Sequence, residues 1–150
     1  MLLPVLVLVI SSSVFVALLL AVSKKILARE FDQPYFQTIA RAEHLEFARL
    51  PAQPYAIGTP EEYYWLRIAF KCDFHYLDYL MKEAIDAPPR HLVEERFLAA
   101  YFRALMVFWI LCHHLNLRET RVIAALADVL RYNANVVGEQ TERRAVAVRQ

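Results

Sequence analysis

No ionisable side chain occurs in the first 22 residues, MLLPVLVLVISSSVFVALLLAV, before the chain reaches Ser23, Lys24 and Lys25. This run constrains the fold more than any other feature. About twenty apolar residues, at roughly 1.5 Å of rise each, match the ~30 Å hydrocarbon thickness of a bilayer. A removable secretory signal has a basic start, a shorter apolar core and small residues at its cleavage point. Only the last is present here, as Ala21 and Ser23. The run is therefore predicted to be an uncleaved transmembrane anchor whose helix continues to residue 29.

Pro4 suits the first turn of that helix, where a missing N–H costs nothing. Lys24, Lys25 and Arg29 follow the span and nothing basic precedes it. By the positive-inside rule this predicts a single-pass protein of the inner or plasma membrane, with its N-terminus outside and the rest of the chain in the cytoplasm. Ser11, Ser12 and Ser13 form the polar cluster of the span. A serine hydroxyl in lipid can bond back to its own helix, and small side chains also let a partner helix approach closely. The cluster is the expected contact with other integral membrane subunits.

Positive and negative side chains nearly cancel, at a formal net charge of +1. Nucleic acid is thus not an expected partner, because phosphate binding requires a clustered excess of Lys and Arg. Two glycines in the whole chain are too few for a phosphate-cradling loop. Cys72 and Cys112 lie in apolar helical surroundings and read as small hydrophobes in a reducing compartment.

Beyond the anchor the chain reads as all-α. Pro34 disfavours helix at Gln33 and suits the first turn of a helix over 34–50, with Asp32 as its cap and Phe36, Ile39, Ala40, Phe47 and Leu50 on one face. PAQPYAIG, residues 51–58, reads as a connector. Thr59, Pro60 and Glu62 spell a capping-box start for a helix reaching about residue 84. Its periodicity predicts a buried arc through Tyr63, Leu66, Phe70, Phe74, Leu77 and Met81, and a wet stripe of Arg67, Lys71, His75, Asp78 and Lys82. Asp73 falls on the apolar side and demands a partner.

DAPPR, residues 86–90, breaks the chain before a helix over 91–115. Its section FLAAYFRALMVFWILC has a single charge, Arg103. Apolar character on all sides predicts the central helix of a bundle. The alternative is a second membrane span over 97–115, in which a central arginine costs about 2.5–3.5 kcal/mol on insertion scales. Asn116 is expected to end this helix and start the next, with Glu119 three positions on. The last helix turns Val122, Ile123, Leu126, Val129, Leu130, Val136 and Val137 inward and stops at Gly138. The predicted organisation is a transmembrane anchor over 1–29, a compact antiparallel bundle of about four helices over 30–138, and a polar tail over 139–150.

Candidate chemistry is sparse. Cys72 and His75 are one helical turn apart, and Cys112 adjoins His113 on the other long helix, so facing helices would bring four metal ligands together. Against that, neighbours such as Cys112 and His113 point about 100° apart on a helix, and no CxxC or HExxH run accompanies them. His113 and His114 end an apolar helix where a haem or pigment could be ligated; the helix dipole accounts for them as well. Paired Glu-x-x-His motifs for a di-iron site are absent. No serine follows Ser23, and neither cysteine sits in a glycine-rich turn. Asp73 and Arg103 are expected to form a buried ion pair between the two long helices. The aromatic excess predicts a partner interface, with Trp65 and Trp109 its leading members.

The expectation is a non-catalytic, cofactor-free accessory or assembly subunit of a larger membrane complex. It would touch lipid and integral membrane partners through its span and aromatic-rich domain; energy-converting complexes, respiratory or photosynthetic, commonly carry small one-span subunits of this kind. The alternative is a membrane-tethered sensor or enzyme holding a metal or haem at Cys72, His75, Cys112 and His113.

Overall fold

The computed structural model describes residues 2–50, 57–83 and 89–149, with the side chains of all of these but 2 and 89–92. Every regular element among the described residues is helical: α1 (Leu2–Leu27), α2 (Phe36–Ala42), a 3-10 turn at Glu46–Arg49, α3 (Pro60–Glu83), α4 (Pro89–His114) and α5 (Thr120–Val148). Residues 51–56 of the predicted connector and 86–88 of the DAPPR break lie outside the described residues. Two helices, Leu3–Leu27 and Val93–His114, are long and apolar enough to cross a membrane.

In α1 every side chain from residue 3 to residue 18 is exposed. The helix joins the rest of the molecule through its last turns, where Leu19 and Ser23 are buried and Ile26 and Leu27 pack against the core. Just after it, the Arg29 guanidinium donates to both carboxylate oxygens of Glu139, at 3.3 and 3.0 Å. Phe31 meets the Tyr132 ring edge-on at 5.3 Å. The segment leaving α1 is therefore docked along α5.

The predicted helix over 34–50 is broken in two. His44 adopts a left-handed conformation with φ 52°, and the Leu45 N–H donates back to the Ala40 carbonyl at 3.1 Å. That is the closing bond of a Schellman cap, here built on histidine rather than the usual glycine. The chain turns and reforms as the 3-10 segment, which packs on α3. Asn116 closes α4 in the same way, with φ 52° and the Leu117 N–H on the Cys112 carbonyl at 2.9 Å. It does not start the next helix; Glu119 occupies the N-cap position of α5.

The start of α3 follows the sequence signal closely. The Glu62 N–H donates to Thr59 Oγ1 at 3.2 Å, while Glu62 Oε2 accepts from the Thr59 N–H at 3.3 Å and the Gly58 N–H at 2.8 Å. Both halves of the capping box are present, and they satisfy helix-end donors that otherwise lack intrahelical partners.

The central helix is α5, not α4. It packs against α2, α3 and α4 and touches α1, and it buries Val122, Ile123, Leu126, Val129, Leu130, Ala134, Val136 and Val137. Gly138 does not stop it. The helix runs ten residues further, to Val148, so the expected polar tail is largely helical, with residues 141–149 exposed. Gly138 instead permits close approach: a Cβ placed there would lie 2.2 Å from Tyr35 Cβ. The backbones of α3 and α4 stay apart, and their side chains bridge the gap, as where the Phe74 and Phe102 rings stack at 4.1 Å. One side of α4 consequently remains open, with Val107, Phe108 and Leu111 exposed.

Candidate functional site

Three polar or amphipathic features stand out: a buried carboxylate under the 3-10 turn, a carboxylate–indole–imidazole cluster where the end of α4 meets the start of α5, and a groove between α3 and α4.

The buried carboxylate is Asp73. It is joined not to Arg103 but to backbone: the Phe47 N–H donates to Asp73 Oδ2 at 2.8 Å. Burial pushes its carboxyl up from the usual value, and the N–H groups of Phe47 and Glu46 act in the opposite direction. The expected ion pair fails because the 3-10 turn reaches Asp73 first and supplies donors from its own backbone. Arg103 is exposed on the groove side of α4. The misplaced acid is thus a clamp holding the segment after α2 onto α3.

The second feature gathers around Glu119. The indole Nε1–H of Trp109 donates to Glu119 Oε2 at 2.5 Å, and His113 Nδ1 lies 2.8 Å from Glu119 Oε1, so the Nδ1–H tautomer donates there. The His113 ring stacks on Tyr63 at 3.7 Å, 4° from parallel, and Tyr63 meets Trp109 edge-on at 5.3 Å. Burial pushes the Tyr63 hydroxyl up, with Arg67 beside it pulling the other way. Trp109, expected at an interface, is 0 % exposed and belongs to the core. The outward position falls to its neighbour Phe108. Glu119 had read from sequence as a helix-start residue, which it is; nothing in its spacing revealed that it also collects Trp109 and His113.

The proposed metal ligands do not converge. Cys72 is exposed and Cys112 buried, His75 lines the groove, and His113 is engaged by Glu119 and Tyr63. Among the described residues no group of three or more His, Cys, Asp or Glu side chains is arranged to hold a metal ion. His114 is exposed beyond the end of this cluster.

The groove between α3 and α4 encloses about 270 Å³. Arg67, Lys71 and His75 form one wall and Arg103 the other, over a floor of Phe74, Phe102, Met106 and Ile110. No carboxylate lines it. Along the same wall Asp78 is neutralised by Lys82 at 2.6 Å. Helical periodicity had placed Arg67, Lys71 and His75 on a wet stripe; that Arg103 of α4 faces the same space is a product of the fold. Exposed apolar side chains on α3 and α4 include Trp65 at 51 %, Ile68 at 63 % and Val107 at 59 %, and of these Val107 lines the groove. Of the residues expected at a partner interface, Trp65 and Ser11 to Ser13 are exposed. The Ser13 hydroxyl donates to the Val9 carbonyl at 2.8 Å within its own helix.

The chain matches no protein-family model, no curated protein and no solved structure.

Proposed function

We propose that this protein is a membrane-anchored accessory or assembly subunit that works by contact within a larger membrane complex rather than by catalysis. The observation that carries the reading is apolar surface left uncovered by the chain itself. In α1 the whole length from residue 3 to residue 18 is exposed, and α3 with α4 presents Tyr64, Trp65, Ile68, Val107, Phe108 and Leu111 outward. Surface of that extent is stable only when another phase or another protein covers it. A bilayer suits the first and a partner subunit the second. Lys24 and Lys25 at the end of α1 favour a cytoplasmic domain and an N-terminus outside.

In this reading the span meets a host helix where Ser11 and Ser12 keep the surface low. The test is recovery of partners from native membranes in a mild detergent. The wild-type chain is expected to carry integral membrane proteins at fixed stoichiometry, and Ser12→Leu to recover several-fold less while its far-UV circular dichroism and melting remain unchanged. A chain extracted from its native membrane as a lone monomer, or one soluble without detergent, overturns the proposal.

A further inference from the structure

We infer that the groove between α3 and α4 is a binding site for an anionic phospholipid, with the headgroup phosphate among Arg67, Lys71, His75 and Arg103 and the start of an acyl chain on Met106, Val107 and Ile110. The inference rests on the membrane location proposed above, though not on the existence of a host complex.

Charge complementarity selects the occupant. The chain as a whole has a formal net charge of only +1, yet the groove gathers three permanent cations and an imidazole with no carboxylate in its lining. Like charges converging from two helices repel one another, and the repulsion is relieved by a bound anion. Asp78, on the same wall of α3, already neutralises Lys82, and Glu119 is held by Trp109 and His113. Glu95 of α4 lies near Asp78 and Lys82 and outside the groove lining.

The floor excludes a simple inorganic anion as the best fit. Phe74 and Phe102 stack at 4.1 Å beneath the bases, and Met106, Val107 and Ile110 continue the apolar lining. Val107 is itself 59 % exposed, so the apolar track leads out of the groove onto the open side of α4. A ligand with a negative head and a hydrocarbon tail satisfies both parts of the lining. A free phosphate leaves the half-buried Met106 and Ile110 and the exposed Val107 uncovered, and a zwitterionic headgroup brings its own cation next to Arg67 and Arg103. Arginine and lysine beside an anionic leaflet each add to its attraction.

The test uses the full chain in a non-ionic detergent, so that it reads the groove whether or not a host exists. Native mass spectrometry and thermal protection are followed during titration with dioctanoyl phosphatidylglycerol, dioctanoyl phosphatidylcholine, inorganic phosphate and an acidic peptide. Only phosphatidylglycerol is expected to bind and protect. The triple variant Arg67→Gln, Lys71→Gln, Arg103→Gln should weaken it at least about tenfold. A control triple, Arg118→Gln, Arg121→Gln, Arg149→Gln, carries the same charge change away from the groove and should bind as wild type. Arg67→Lys with Arg103→Lys should retain most of the affinity and guards against misfolding of the glutamine variant. Equal binding of phosphatidylcholine, equal protection by phosphate or by the peptide, or equal loss in the control triple would each overturn the assignment.

Discussion

Replacing Gly138 by alanine sets two well-measured effects against each other. On an open helix surface the change would stabilise, since alanine is favoured over glycine by about 1 kcal/mol in a helix interior. Here the new Cβ would lie 2.2 Å from Tyr35 Cβ and 2.8 Å from Tyr35 Cγ. Tyr35 Cβ is one bond from the backbone, so no rotation of the ring clears it, and either α5 or the segment before α2 has to move. Overpacking of this kind costs about 1–3 kcal/mol. The movement also pulls on bonds made across the same contact: the Phe36 N–H to Asn135 Oδ1 at 2.6 Å and the Arg29–Glu139 pair at 3.0 Å. Loss of one adds about 1 kcal/mol. The sum is a net destabilisation of about 1–3 kcal/mol, equivalent to a fall in melting temperature of about 2–12 °C for a chain of this size. Melting of the detergent-solubilised protein, followed by circular dichroism, measures it. Combining Gly138→Ala with Tyr35→Gly should recover much of the loss as a coupling energy; Tyr35→Ala would not, because it keeps the offending Cβ. A Gly138→Ala variant that melts at or above the wild-type temperature refutes the close-approach argument.

Asp73→Ala should cost about 1–3 kcal/mol by leaving the buried Phe47 N–H without an acceptor, and Asp73→Asn should cost less. Because burial raises the Asp73 carboxyl above its usual 3.8, the folded state holds that proton more tightly than the unfolded chain. Its contribution is therefore greatest below the unfolded value and is lost as pH rises through the folded one. Wild type should gain on Asp73→Asn as pH falls from neutral toward 3.8; a stability difference that is flat, or slopes the other way, contradicts this. Glu119→Ala removes the shared acceptor of Trp109 and His113 and should cost about 1–3 kcal/mol with a shift in tryptophan emission, whereas Glu119→Gln, which keeps an acceptor for the indole, should cost less. An unchanged melting temperature and spectrum in Glu119→Ala would mean the cluster is incidental. In the folded protein a maleimide should label Cys72 and spare Cys112, since the first is exposed and the second buried; mass mapping of the labelled chain decides it.

What was legible from sequence is what local rules govern. The capping box at Thr59 and Glu62, the buried arc of α3 and the close of α4 at Asn116 depend on neighbours within a few positions and emerge as expected, while α4 begins at Pro89, inside the stretch expected to break the chain. The break in the predicted helix over 34–50 has no signal in the sequence because histidine, unlike glycine, does not advertise a left-handed cap. Gly138 misled for the opposite reason: it read as punctuation, but the glycine serves a contact with Tyr35 more than a hundred positions away. The same distance problem hid the groove. Arg67, Lys71 and His75 were identifiable as a stripe, and Arg103 as a lone charge in an apolar helix, but only the antiparallel passage of α3 past α4 sets them around one space.

The exchange of roles between α4 and α5 has a physical cause that bears on function. A helix becomes the hub of a bundle when it offers neighbours on several sides a surface they can approach. In α5, Ala134 and Gly138 are small enough to let other segments come close, while Arg121, Asp128 and Arg131 keep its outer face wet. By contrast α4 is apolar nearly all round, yet Val107, Phe108 and Leu111 point away from the molecule. Hydrophobicity alone tells that a surface is to be covered and not what covers it. In α5 the cover is the rest of this chain, and in α1 a bilayer matches the length and composition. For α4 the exposed apolar face stands beside a groove lined with arginine, lysine and histidine, and the two together call for a cover that is apolar and anionic at once.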